Sequence, residues 1–371
     1  MKYEAAREAL LQRIQDMPKG ERLPGRNALA EDLGIARTTL EHAISDLTTQ
    51  GYLESKRGSG TYVTGKPVVP DLPNPQERWF SLPDTIALDE NTWALLVSNI
   101  MADISPALLR GVEDETQRRN IHLIICNTDN DSEKLANYLF QLTKSGVSGI
   151  LIMPGVGHTI DPWIWEQVRS HGVRVVSCTR ALPDFVTPGV YYNGSQTGFL
   201  ATQHLIERNC RRIAMVAGGR TGTLADRYSG YRTALAAYGL PALPELFSYE
   251  QGLDPIPDMP NGRALIQRGG FDGLFVFNDR MARFAYAALK QCGMMPGRDV
   301  AVVACDGTPV GEDLQPMLSS VYVPTYEVGA QAAKLLYSLC RGESGVAEWS
   351  MLDCRLIARE STLAYQPASP K

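Results

Sequence analysis

Several charged and amide side chains in the later part of the chain sit just beyond short apolar runs, where a fold could gather them. Asp103, Ile104 and Ser105 follow WALLV, and Thr179 and Arg180 follow VRVVSC. Arg227 lies on the helical stretch after RIAMVAG, Phe277 and Asn278 close FDGLFVFN, and Asp306 closes DVAVVACD. An Arg and an Asp offered to one cleft from different strand ends supply forked donors and acceptors for adjacent hydroxyls, which is what a sugar requires. The plainer reading makes each of them a helix cap or a surface ion pair, and for any single residue both readings stay open. In CNTDND (126–131), Asp131 and Ser132 are expected to cap the following helix. A calcium loop is disfavoured there because the glycine and distal glutamate of an EF-hand are missing. No G-x-S-x-G elbow, P-loop or H-E-x-x-H motif occurs, so the sequence offers no recognisable catalytic machinery.

A second group lies near the N-terminus. Arg37, Thr38, Thr39 and His42 fall at the start and outward side of a helix whose buried face is Leu40, Ile44 and Leu47. Tyr52 and Leu53 then alternate as a strand, and RGSG (57–60) turns into Thr61, Tyr62 and Val63. A helix presenting an Arg and two hydroxyls at its N-terminus suits a major groove, where phosphates meet backbone N–H groups and side chains meet base edges. The tip formed by Lys56, Arg57, Gly58, Ser59 and Gly60 would lie against the neighbouring backbone or minor groove, since glycines allow close approach. This is a winged helix-turn-helix pattern; the bland alternative is a small helical subdomain with a surface hairpin.

The elements that would position both groups follow from periodicity. Residues 3–15 read as an amphipathic helix on Ala6, Leu10, Leu11 and Ile14, and Asn27–Leu33 as the first helix of the helix-turn-helix, with Gly34 its turn. Residues 66–90 read as an extended linker, rich in proline, with Trp79 and Phe80 as a candidate anchor. From Thr92 onward, continuous apolar strands at 149–154, 173–178, 212–218, 271–277 and 299–305 alternate with helices. That pattern means parallel sheets covered on both faces. About a dozen strands are expected, in two sheets rather than one, and ligands bind outside the carboxyl ends of such strands.

With 371 residues, two or three domains are expected, and 44% apolar residues suffice for sizeable cores. The net charge of −5 lies wholly outside residues 1–65, which hold nine basic and nine acidic residues. Neutrality counts against DNA binding by that segment. The clustering of Arg22, Arg26, Arg37, Lys56, Arg57 and Lys66 near the turn, helix start and wing softens the objection. Binding should then be weak per monomer and need two copies. The seven cysteines are scattered singly without a CxxC pair, which reads as reduced core residues of a cytoplasmic protein. The five histidines are dispersed, and no metal or cofactor is expected. No apolar run approaches the roughly 20 residues of a membrane span, so no membrane partner is expected.

Two resemblances sharpen these readings. LPGRNALAEDLGIARTTLEHAI followed by RGSGTYV resembles the GntR-type winged-helix domain over about the first 65 residues. The resemblance implies contacts to double-stranded operator DNA from Arg26, Asn27, Arg37, Thr38, Thr39, His42 and the wing residues Lys56 to Gly60. There are departures: Gly25, Arg26 and Asn27 stand where the family has Ser, Glu and Arg, so Arg26 is the candidate replacement for a phosphate-contacting Arg. Ala36 replaces a capping Ser, at a cost of about 0.5–2 kcal/mol, and Glu41 replaces an Arg.

From about Thr92 to Leu363, CNTDND, ADRYSGYRTALAAYGL, FVFNDRMA, VVACDG and RLIARESTL resemble the LacI/GalR effector domain, which is related to periplasmic sugar-binding proteins. The resemblance implies that Arg227 and Asp306 contact an effector, with Asp103 to Ser105 and Asn278 beside them. Ala102-Asp103-Ile104-Ser105 stands where Asn-Pro-Phe-Phe is usual, so the stacking aromatic is absent, and Asn193-Gly194 replaces Asp-Asn. The expected fold is therefore multidomain, an α+β winged helix joined to an α/β two-lobed body with parallel sheets. Lobe one would hold about 91–193 and 322–348, and lobe two about 194–321 and 349–365. The expected function is a homodimeric regulator, a repressor, controlled by a carbohydrate effector. The alternatives are a sugar-binding or sugar-modifying protein that uses its N-terminal domain for interaction, and a transport protein.

Overall fold

The computed structural model describes residues 9–11, 13–14, 17–49, 52–56, 59–65, 91–155, 159–218, 221–250, 259–345 and 347–366. The chain divides into two units, Met1–Pro83 and Asp84–Lys371. The expected linker at 66–90, with Trp79 and Phe80, lies outside the described residues, as does most of the expected helix at 3–15. Residues 9–11 and 13–14 are helical, and Leu10 and Ile14 are buried as the pattern requires.

The first unit holds α1 (Arg26–Asp32), α2 (Arg37–Thr49), β1 (Leu53–Lys56) and β2 (Gly60–Val63). Leu40, Ile44 and Leu47 of α2 join Leu29, Leu53 and Val63 in one core. Gly34, with φ of 64°, makes the turn between the helices, a conformation that a side chain disfavours. The two strands pair antiparallel from Leu53 opposite Val63 to Lys56 opposite Gly60. Leu23 N donates to Thr61 O and Val63 N to Glu21 O, so the segment before α1 also lies along the wing.

The second unit begins with β3 (Thr92–Val97), α3 (Ser105–Gln117), β4 (His122–Asn127), α4 (Ser132–Ser145), β5 (Gly149–Met153), α5 (Pro162–Ser170), β6 (Arg174–Thr179) and β7 (Gly189–Tyr192). It continues with α6 (Gly194–Glu207), β8 (Ile213–Gly218), α7 (Thr221–Ala237), β9 (Phe247–Glu250), α8 (Pro260–Arg268), β10 (Gly273–Val276), α9 (Asp279–Gln291), β11 (Ala301–Asp306) and β12 (Ser319–Tyr322). The chain then forms α10 (Thr325–Cys340), β13 (Trp349–Leu352), β14 (Arg355–Ile357) and α11 (Glu360–Leu363). One six-stranded sheet runs β13-β7-β6-β5-β3-β4 and is parallel throughout. The other runs β14-β12-β11-β10-β8-β9 and is parallel except for β14 against β12. Central strands such as β3 and β8 are buried at every position, as strands sandwiched between two helical layers must be.

The chain therefore passes between the lobes three times: after β7, after β12 and between β13 and β14. This corrects one expectation. The sequence pattern assigns residues 349–352 to lobe two, but β13 extends the first sheet beside β7, and only β14 joins the second. A four-residue edge strand with alternating exposure carries no apolar run that would mark it. In lobe one, α10 crosses α3 at close range through Gly111 and Gly329, where a side chain would collide with the facing backbone.

Candidate effector cleft and DNA-reading face

The carboxyl ends of both sheets open on one cavity of about 140 Å³. Lobe one lines it with Ser98, Asn99, Asp103, Ile104, Asn130, Met153, Arg180 and Tyr192. Lobe two contributes Thr223, Arg227, Phe277, Asn278 and Asp306. The structure thus brings together seven of the eight side chains expected there. Ser105 is the exception: it is 1% exposed, its hydroxyl donates to Asn99 O at 2.7 Å, and it does not line the cavity. As the first residue of α3, it fixes the preceding loop instead. Asn99, Asn130 and Tyr192 are additions that the sequence does not single out; the two asparagines lie just beyond strands, and Tyr192 closes β7.

Arg227 is the buried centre of the lobe-two wall. It is 2% exposed, and Nη2 donates to Asp306 Oδ1 at 2.5 Å while Nη1 donates to the Phe277 carbonyl at 2.5 Å. Its guanidinium also lies over the Phe277 ring, 4.6 Å from the centroid. Burial opposes the charge, but Asp306 more than compensates, so the guanidinium holds its proton more tightly than a free one. Nε is buried and has no partner among the described residues, as does Thr179 Oγ1. Gly198 of α6 and Gly230 of α7 let these helices touch. A Cβ on Gly198 would meet the Arg227 carbonyl, and one on Gly230 the Ser195 carbonyl. The glycine of R-x-x-G-Y thus lies in the contact between α6 and α7, three residues from Arg227.

The loop after β11 is tied down by Asp279, which is 1% exposed. Its carboxylate accepts from Thr308 N at 2.6 Å, Thr308 Oγ1 at 3.0 Å and Ser320 Oγ at 2.5 Å. Burial, with Asp306 adding repulsion, pushes its pKa up to about 7. Asn278 caps α9 by accepting from Met281 N at 2.9 Å. Asp306 and Thr179, at the ends of β11 and β6, both have positive φ, 103° and 69°. Non-glycine residues in this region cost of the order of 1–3 kcal/mol, and such strain concentrates at binding sites. Asp103 of lobe one has a partner on the other lobe. Its carboxylate lines the cavity but is gripped by Arg280 of α9, whose Nε donates to Oδ2 at 2.9 Å and whose Nη2 reaches the other oxygen. Nothing in the sequence marks Arg280.

The cap reading of Asp131 holds: it accepts from Glu133 N at 2.7 Å and Lys134 N at 3.0 Å. Asn193, standing for the usual Asp, still caps α6 through Gln196 N. Among the described residues there is no cluster of metal-ligating side chains, and no helix is long and apolar enough to cross a membrane.

On the first unit, Arg37 and Thr38 are exposed and Thr39 half-buried at the start of α2. Arg37 Nε donates to Glu41 Oε1 at 3.0 Å and its Nη1 to Asn27 Oδ1 at 3.1 Å. Arg26 opens α1 beside the wing. It is half-buried, with Nη2 3.5 Å from Thr61 Oγ1 on the wing and Nη1 buried without a partner among the described residues. Lys56 lies over the Tyr62 ring and near Glu54, and the Ser59 hydroxyl meets that of Tyr62 at 2.5 Å. Gly60 has φ of 125° and packs under the Arg22 guanidinium. Arg57, Gly58 and the His42 side chain lie outside the described residues.

A winged helix-turn-helix and a two-lobed α/β body with a polar cleft define the class of a ligand-responsive DNA-binding protein. Comparison with known proteins agrees. Residues 2–63 match the family model for bacterial regulatory proteins of the gntR family, and residues 202–362 match the periplasmic binding protein-like domain. The arabinose metabolism transcriptional repressor of Geobacillus stearothermophilus is 24% identical over 334 residues, covering 88% of this chain and 87% of that protein. The ribose operon repressor of Halalkalibacterium halodurans is 27% identical over 270 residues, covering 72% and 78%. A LacI family transcriptional regulator from Enterococcus faecium, solved with bound ribose, superposes with a TM-score of 0.63. It is 25% identical, with 73% of this chain and 98% of that one covered. The chain thus joins a gntR-type DNA-binding domain to a periplasmic-binding-protein-like domain, a chimaeric transcription regulator, and two of its relatives are named as repressors of arabinose metabolism and of a ribose operon.

Proposed function

We propose that the protein is a repressor whose operator binding is set by a monosaccharide held in the cleft by Arg227, Asp306, Arg180 and Asn278. The observation that carries this reading is the cavity between the two sheets, walled on one side by the buried Arg227–Asp306 pair. A fork of donors beside a carboxylate, with Phe277 packed against the guanidinium, matches a ring bearing adjacent hydroxyls. Size narrows the class. A cavity of about 140 Å³ is close to the roughly 150 Å³ that holds one benzene-sized ring, which matches a ligand of about one sugar ring. Relatives named for arabinose and ribose are consistent with a ligand of that size. The protein acts in the cytoplasm by binding and not by turnover. It works as a homodimer, because one recognition helix reads only a few base pairs and a two-fold pair doubles the contact.

The test is a thermal-shift screen of monosaccharides and disaccharides, followed by gel retardation of operator DNA with each hit. At least one monosaccharide should raise the melting temperature and lower operator occupancy. Stabilisation by disaccharides alone, or by no sugar at all, would refute the assignment.

A further inference from the structure

Asp103 and Arg280 stand on opposite lobes, the first beyond β3 and the second in the opening turn of α9, yet they form a two-pronged ion pair across the cleft. The same guanidinium donates through Nη2 to the Met101 carbonyl at 2.9 Å, so it spans the whole turn that carries Asp103. We propose that Arg280 is a positioning residue of the effector site. With Asp103 it forms a clasp that holds the lobes together and slows effector release. The effector half of this proposal rests on the cleft assignment above; the clasp half stands on the ion pair itself.

Both sides of the clasp are anchored, which is what makes it a mechanical link between lobes. On lobe one, Ile100 N donates to Asn127 Oδ1 at 3.0 Å, Met101 N to Asn99 Oδ1 at 2.9 Å and Ser105 Oγ to the Asn99 carbonyl. On lobe two, Arg280 follows Asn278, which caps α9, and Asp279, whose buried carboxylate holds Thr308 and Ser320. Parting the lobes therefore has to break the ion pair, because neither loop has slack to follow. The side chains are only 23% and 19% exposed, so solvent and salt screen the pair less than a surface one. Its partners are both protein groups, so it favours the closed arrangement by a fixed amount, whichever sugar is bound. The sugar's own preference for that arrangement adds to it. Asp103 accordingly acts on the effector through lobe geometry, with its oxygens committed to Arg280.

The test compares the full-length wild type with Arg280→Gln, Asp103→Asn and the exchange variant Asp103→Arg/Arg280→Asp. Amide hydrogen exchange at residues 100–105 and 278–283 is followed without sugar, and release of D-ribose and L-arabinose is timed by stopped flow. Each single variant should lose about fivefold protection in both loops, including the loop on the unaltered lobe. Release of whichever sugar binds should quicken by a similar factor, and the exchange variant should recover both. Protection lost only in the loop carrying the substitution, or no recovery on exchange, would overturn the clasp. If the wild type binds neither sugar, that outcome counts against the choice of sugar or the cleft assignment, and the exchange measurement still decides the clasp.

Discussion

Arg37 donates one guanidinium nitrogen to Asn27, on the preceding helix, and another to Glu41 one turn further along its own helix. Positions 27 and 41 are two of the places where the chain departs from the GntR-type pattern, and both departures converge on this one arginine. A guanidinium held from two sides loses little freedom on docking and keeps one terminal nitrogen, Nη2, for a base edge or phosphate. Arg37→Ala should therefore weaken operator binding by about 1–3 kcal/mol, a factor between roughly 5 and 150, with sugar binding unchanged. Glu41→Ala should leave the melting temperature nearly constant, since an exposed i,i+4 pair contributes only about 0.3–0.5 kcal/mol, yet should reduce discrimination between operator and scrambled DNA. Equal gel-shift affinities for wild type and Arg37→Ala would show that the helix does not read DNA from this end.

The cleft predicts an uneven pair of phenotypes. Arg227→Ala removes a buried cation and leaves Asp306, 12% exposed, with some access to solvent. Asp306→Ala instead strands a guanidinium that is 3% exposed, a change that typically costs about 3–5 kcal/mol. Both variants should lose the response to effector and repress constitutively in a reporter strain. Asp306→Ala should also unfold its body at lower urea, and Asp306→Asn should restore most of that stability without restoring the response. A variant of either residue that still responds at the wild-type sugar concentration would remove this cleft as the regulatory site.

Strand-end chemistry is legible in the sequence because a long apolar run that stops at a charge marks a buried strand emerging into a polar space. Asn278 and Asp306 stand out in this way, Arg227 is marked only by the R-x-x-G-Y resemblance, and all three line one cavity. What escapes is whatever depends on lobes meeting. Arg280 sits among ordinary helix residues, and only the folded chain shows it reaching Asp103. The short strands β7, β9, β12, β13 and β14 escape too, because none lies in a longer apolar run of the kind that marks β10 at 271–277. Nor does the sequence show that Arg26, the neighbour of Asn27, reaches toward Thr61 on the wing.

Two buried groups give the body opposing pH dependences. His204, bonded to the Thr362 hydroxyl, has its pKa lowered to about 4 by burial, with Arg208 adding repulsion. The unfolded chain binds that proton more readily, so its contribution to stability is present above about 6.5 and is lost as pH falls toward 4. Asp279 runs the other way. Its folded pKa is up at about 7 from 3.8, so its contribution is present below about 4 and is lost as pH rises through 7. Calorimetric melts should therefore show His204→Gln gaining on wild type as pH drops from 6.5 to 4. Asp279→Asn should gain on it as pH climbs from 5 to 7.5. Melting curves that stay parallel to wild type across those windows would show that neither group titrates in the folded body as its surroundings require.

The contact between α6 and α7 yields the most direct test of how Arg227 is placed. Gly198 and Gly230 meet backbone carbonyls of the opposite helix, leaving no room for a methyl group on either side. A Cβ at Gly230 would push α7 away from α6 and shift Arg227 relative to Phe277 and Asp306, which together hold it by two hydrogen bonds of 2.5 Å. Overpacking of this kind usually costs about 1–3 kcal/mol, and a displacement too small to unfold a domain is enough to misalign a fork of donors. Gly230→Ala should lower the urea midpoint of the body and raise the sugar concentration needed for half-maximal response by tenfold or more. Ser229→Ala, at the neighbouring exposed position on the same helix, should change neither. Operator affinity without sugar should stay at the wild-type level in both, because the winged helix folds on its own core. A Gly230→Ala protein with an unaltered urea midpoint and an unaltered sugar response would mean that the helix contact does not set the position of Arg227.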